Sequence, residues 1–248
     1  MTLPASANLI VLLAAAAAMA SSIVVYAVAG GSRDPAHEAK GTHFFMGVGD
    51  FFLHWMIWIL EPALRLSVRL GLTPDHVSYI ATAFGVASAG LLAAGRFSLG
   101  GWMLALNGMI DTLDGHLARR TGQSSSRGDF IDGTLDRFID VGICLGLLVS
   151  LREHPWAPLI AASAMGGSLI VSYTRARGEV QGVVCHGGLM QRPERVVMLS
   201  LACILDPIIC PWLSWTAGSL VIAVLALVAV TTFFTAIQRT IWIAARLR

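Results

Sequence analysis

What most constrains this chain is the recurrence of apolar runs near membrane-spanning length. A helix rises about 1.5 Å per residue, so about 20 apolar residues cross the hydrocarbon layer of a bilayer. Such runs recur along the 248 residues, of which only 13% are charged, and the mean hydropathy is +0.71. A soluble globular protein is excluded. The expected fold is an all-α polytopic membrane protein, since a helix satisfies its own backbone inside lipid.

The first run, Ala7 to Gly30, has no basic segment before it, and its length favours a retained membrane helix over a cleaved signal. Together with the polar linker GSRDPAHEAKGTH it sets residues 1–42 apart as an extra helix and linker. Residues 43–72 read differently. Their apolar core FFLHWMIWIL is too short to span and ends at Glu61-Pro62, after which Arg65 and Arg69 alternate with leucines. That is an amphipathic helix lying at the interface, with a short re-entrant segment as the alternative. Thr73-Pro74, a capping hydroxyl before a proline, then opens a six-helix domain over 73–248. Its helices are expected at 74–94, 98–120, 129–151, 156–176, 193–210 and 216–240. Cys144, Cys185, Cys203 and Cys210 have no paired spacing, so neither a disulfide nor a zinc site is expected, and nothing points to nucleic acid as a partner.

Charge placement orients the bundle. Arg119, Arg120 and Arg127 share one side with Arg175, Arg177, Arg192, Arg195, Arg239, Arg246 and Arg248, against only Arg96 and Arg152 in the opposite loops. By the positive-inside rule the arginine-rich side is cytoplasmic. The expected location is the cytoplasmic (inner) membrane.

On that same side five acids crowd into DTLDGHLARRTGQSSSRGDFIDGTLD, residues 111–136. Asp111 and Asp114 are three apart near the end of one helix, and Asp132 and Asp136 are four apart near the start of the next. Those spacings share a helical face, and a short loop makes the helices antiparallel, so all four acids meet at one depth. Four such carboxylates repel unless a cation sits among them, and a hard divalent ion with oxygen ligands answers that need; two Mg²⁺ or Mn²⁺ ions are plausible. Gly115 and Gly128 leave room beside the acids, and Arg119 lies one turn away, placed to meet an anion. Three readings compete: aspartates paired with Arg119, Arg120, Arg127 and Arg137; an ion or proton pathway, as in a metal transporter; and a metal site that handles phosphate. A pathway would distribute polar groups through the membrane depth, whereas CLGLLVSL and LIAASAMGGSLI carry no charge.

The spacing Asp111-x2-Asp114-Gly115-x2-Ala118-Arg119-x8-Gly128-x3-Asp132-x3-Asp136 resembles the signature of the CDP-alcohol phosphotransferases, integral membrane enzymes of phospholipid synthesis. The resemblance implies a six-helix core preceded by an amphipathic helix, and it leaves the first 40 or so residues outside. It implies that Asp111, Asp114, Asp132 and Asp136 hold two metal ions. Asp136 would also be the catalytic base, and Asp114, Gly115, Ala118, Arg119 and Gly128 would line the CDP pocket. A homodimer is implied as well. Asp140, one turn past Asp136, lies outside the signature, and is expected either to support the site or to pair with Arg137.

Arginines at three later helix ends converge on the acidic face: Arg175 in SYTRARGE, Arg195 in QRPERVV and Arg239 in IQRTIW. The arrangement is similar to the phosphatidylinositol-phosphate synthases of the family, whose equivalent residues bind inositol phosphate. The resemblance therefore implies transfer of a phosphatidyl group from CDP-diacylglycerol to a soluble phosphorylated polyol, inositol 1-phosphate before glycerol 3-phosphate, with release of CMP.

Overall fold

The computed structural model describes residues 5–28, 49–185 and 187–247, with side chains for 9–28, 54–185 and 187–247. The polar linker, the expected boundary at 42/43 and the first residues of the amphipathic segment lie outside the described residues. Those described form eight helices and no strand: α1 (Ala5–Val28), α2 (Gly49–Arg69), α3 (Pro74–Ala93), α4 (Phe97–Thr121), α5 (Ser126–Ser150), α6 (Ala157–Val180), α7 (Arg192–Trp212) and α8 (Ser219–Ala244).

Five of them (α1, α3, α6, α7 and α8) are long and apolar enough to cross a membrane. With 25 residues each, α4 and α5 are also long enough, at about 37 Å. Their composition is less apolar because they carry the acids and several arginines. The architecture is that of a polytopic helical membrane protein. At Thr73 the expected start is made by a full capping box: Thr73 Oγ1 accepts from the His76 amide while His76 Nδ1 accepts from the Thr73 amide. Pro62, where the apolar core ends, lies inside α2, so the described part of the amphipathic segment is one continuous helix from Gly49 to Arg69. Tertiary support holds that turn, since Leu60 and Leu64 pack with Val77, Leu113 and Leu117. At its other end α6 runs to Val180, four residues beyond expectation.

The core lies between α3 and α8, where Leu92, Leu104, Leu147, Leu151, Val221 and Leu225 are almost wholly buried. α3 packs on α4 and α5, α4 on α7, and α6 on α8. In lipid, helices gain most from close approach at small residues. A Cβ on Gly146 of α5 would stand 2.5 Å from the Ala89 carbonyl of α3, so that crossing admits only glycine. Interhelical hydrogen bonds fix the register: Asn107 Nδ2 donates to the Ala81 carbonyl at 2.9 Å and Ser88 Oγ to that of Gly100 at 2.7 Å. At the other end, the buried Asp206 of α7 accepts from the Gly218 amide at 2.9 Å and so caps α8 from a neighbouring helix. All four cysteines are buried free thiols.

Candidate active site

A tight connection between α4 and α5 creates the site. Gly122 ends α4 in the left-handed region at φ 67°, which glycine adopts without strain, and Ser125 caps α5 by accepting from the Gly128 amide at 3.0 Å. Four residues thus reverse the chain, and the acids of the two helices face each other. One carboxylate oxygen from each of Asp111, Asp114 and Asp132 lies within 4.8 Å of the other two. Opposed ligands of an octahedral Mg²⁺ stand about 4.2 Å apart, so small side-chain rotations close this triad on a hard divalent cation. The donor set, three carboxylates and no sulfur or imidazole, fits Mg²⁺ or Mn²⁺. Asp114 is buried and further oriented by Ser78 Oγ, which donates to its Oδ2 at 2.5 Å.

Asp136 is not in this triad. Its Oδ1 is in ion-pair contact with Arg192 Nη2 at 2.7 Å, off the angle of a hydrogen bond, and Arg137 Nη1 lies 3.5 Å from its Oδ2. Arg192 also donates to Asp111 Oδ2 at 2.6 Å. One guanidinium from α7 thus bridges the α4 and α5 acids. The other arginines near in sequence do something else. Arg120 donates to both carboxylate oxygens of Glu61 in α2, at 2.8 and 2.9 Å, and Arg127 to Asp75 at 2.8 Å. Arg119 shares a hydrogen bond with His116 Nδ1 at 3.1 Å. Of the four acids, local ion pairing therefore reaches Asp136 alone, through Arg137 at 3.5 Å, and leaves Asp111, Asp114 and Asp132 unexplained.

On the expected CDP-binding side, a Cβ at Gly115 would have only Arg119 Nη1 nearby, at 3.5 Å, and Ala118 is half-buried. Gly128 sits where a Cβ would come 3.3 Å from Ser125 Oγ and 3.5 Å from Asp75 Oδ1. Residues 115, 118, 119 and 128 therefore lie beside the acids on the two helices that carry them.

The three candidate acceptor arginines differ in their surroundings. Arg195 is buried, and its Nη2 donates to Asp140 Oδ2 at 2.7 Å. Arg239, also buried, donates through Nε to the Gly187 carbonyl at 2.7 Å and through Nη1 to that of Val171 at 3.1 Å. Arg175 is exposed and pairs with Glu179 at 2.8 Å. Asp140 turns to Arg195, and with Arg192 Nε at 3.9 Å, rather than to Arg137, which donates to the Gly133 carbonyl at 2.7 Å.

Two contacts were not legible in the sequence. Ser78 carries no motif, and nothing local ties it to an acid 36 residues later. Arg192 was visible as a basic residue on the correct side, but which acids it meets depends on how α7 packs against α4.

The chain matches the CDP-alcohol phosphatidyltransferase family over residues 71–238, and it belongs to that family. It is therefore an integral membrane transferase. Among its relatives, the archaetidylinositol phosphate synthase of Methanothermobacter thermautotrophicus is 33% identical over 184 residues, 73% of this chain and 87% of that protein. The phosphatidylinositol phosphate synthase of Mycobacterium tuberculosis is 34% identical over 191 residues, 74% of this chain and 86% of its own length. A crystal structure of the Mycobacterium tuberculosis enzyme with CDP-DAG bound superposes with a TM-score of 0.65 at 29% identity, covering 73% of this chain and 92% of that one. A second structure of it, in complex with manganese and citrate, superposes at 0.66 and 30% identity, covering 73% and 87%.

Proposed function

We propose that the protein transfers the phosphatidyl group of CDP-diacylglycerol to a hydroxyl of inositol 1-phosphate, releasing CMP. The observation that carries this reading is the Asp111–Asp114–Asp132 triad together with the buried Arg195, tied through Asp140 and Arg192 to the same acids, with Arg175 and Arg239 towards the ends of α6 and α8. A phosphate-free acceptor needs no such second group. The relatives named above, synthases of inositol phosphate lipids, support the same choice.

Two divalent cations held by Asp111, Asp114, Asp132 and Asp136 would withdraw charge from the pyrophosphate oxygens of the donor. Gly115, Ala118, Arg119 and Gly128 line the CDP moiety, with Arg119 placed to meet phosphate oxygens bidentately. Arg175, Arg195 and Arg239 bind the acceptor's phosphate and orient its hydroxyl. That oxygen attacks the β-phosphorus, its proton passes to the Asp136 carboxylate, and the bond to the CMP oxygen breaks. The products are a phosphodiester and CMP. The inner-membrane location, the site's cytoplasmic exposure and a homodimer belong to the same reading, supported by the one-sided arginines and by the family resemblance.

The test is an acceptor panel. Purified protein with CDP-diacylglycerol and Mg²⁺ is offered inositol 1-phosphate, glycerol 3-phosphate, free inositol and serine, with CMP release as readout. Turnover with inositol 1-phosphate alone is expected. Turnover with free inositol or serine instead would remove the arginine group from acceptor binding.

A further inference from the structure

Asp140 lies outside the acids that the mechanism uses, yet it is the carboxylate on which the two halves of the site meet. It stands one turn beyond Asp136 on α5, and its two oxygens face two arginines of α7: Oδ2 lies 2.7 Å from Arg195 Nη2 and Oδ1 3.9 Å from Arg192 Nε. The remaining nitrogens of Arg192 reach Asp111 and Asp136. A continuous chain of charge therefore runs from Asp111 through Arg192 and Asp140 to Arg195, crossing α4, α7 and α5. Arg195 is only 3% exposed, and its Nη1 has no hydrogen-bond partner among the described residues. That side chain and Asp140 also border a cavity of about 20 Å³, room for one water, whose other walls are mostly aliphatic: Leu104, Ile143, Leu199 and Val228. A guanidinium gripped by one nitrogen keeps its other donors for a second anion.

We infer that Asp140 is a positioning residue: it sets Arg195 against the acceptor's phosphate and, through Arg192, holds that arginine in register with the acids that grip the donor. The inference rests on the proposed function. Its physical basis is the charge-assisted hydrogen bond from Arg195 to Asp140, without which the guanidinium is free to turn away from the acceptor's phosphate. Charge compensation alone would explain a buried acid beside Arg195, and the two accounts differ in what a variant does to each substrate.

The experiment is steady-state kinetics of Asp140→Asn and Asp140→Glu in the full protein, using the phosphorylated polyol that the wild type turns over in the acceptor panel. A charge-assisted hydrogen bond contributes on the order of 10- to 100-fold in binding. Asp140→Asn is therefore expected to raise the acceptor's KM roughly tenfold or more, while the KM for CDP-diacylglycerol changes by less than about twofold. Asp140→Glu is expected to recover part of the loss. An unchanged acceptor KM, or an equal rise in both KM values, overturns the inference. So does loss of folding in both variants that Asp140→Asn/Arg195→Gln reverses, because charge balance then suffices. Failure of the proposed function appears in the wild type, as use of a phosphate-free acceptor or of none. Failure of this inference appears only in the variants.

Discussion

Replacing Arg192 with glutamine should make the protein's stability depend on divalent metal. Arg192 is in contact with Asp111 at 2.6 Å and Asp136 at 2.7 Å, and its side chain is 16% exposed. Removing one partner of a buried ion pair costs about 3–5 kcal/mol, because the remaining charges are left uncompensated. Here the acids keep some access to water, at 22% and 11% side-chain exposure, so the lower end, about 3 kcal/mol, applies. For a chain of this size 1 kcal/mol moves Tm by about 2–4 °C, which gives a loss of about 6–12 °C. Mn²⁺ at about 100 times its Kd adds about 2.7 kcal/mol to a protein that binds it, which brings the variant nearly back to the stability of the wild type in EDTA. The assay is thermal denaturation in detergent at one scan rate, wild type against Arg192→Gln, with EDTA and then with excess Mn²⁺. A variant as stable as wild type in EDTA, or one whose Tm Mn²⁺ does not raise, would refute the role of Arg192 as counter-charge to the acids.

Two further outcomes are expected. Asp136→Asn should lower turnover by about 10²–10⁴-fold, the usual contribution of a general base, while CDP-diacylglycerol still binds; CMP release and equilibrium donor binding measure the two separately. At Glu61 partial burial pushes the carboxyl's pKa up, but hydrogen bonds from Arg120 and Arg65 outweigh it and hold the group below its usual value. A depressed carboxyl contributes stability above its unfolded pKa of about 4.3 and loses it as pH falls through the folded value. The Tm difference between wild type and Glu61→Gln, reflecting about 0.5 kcal/mol, should therefore be present at pH 7 and disappear in acid, as a thermal scan across pH will test.

Much of the architecture was legible in local terms. Thr73-Pro74 marks the start of α3 because a capping hydroxyl and a proline are readable at one position, and the structure supplies the full box there. The helix ends were less legible. α6 continues to Val180, four residues past the expected end, where Gly178 lies close against Ile243 of α8. The aspartate triad was legible because its spacing along two helices joined by a short loop is a matter of helical periodicity. The partners of the basic residues were not: Asp140 meets Arg195 and Arg192 rather than Arg137, which is three residues away.

By itself, then, the sequence determined that the chain crosses a membrane as helices and that acids of α4 and α5 meet; it grouped Asp136 with Asp111, Asp114 and Asp132, whereas the structure clusters the last three. Hydropathy and the 3.6-residue period act within one or two neighbouring elements, and a four-residue loop leaves little freedom between α4 and α5. Only the tertiary structure decided that Arg192 bridges Asp111 and Asp136, that Ser78 orients Asp114, and that Arg239 holds the carbonyls of Gly187 and Val171. Each of those contacts joins residues at least 36 positions apart. The register of the helices involved is set by close approaches such as Gly146 on Ala89, and no local pattern encodes it.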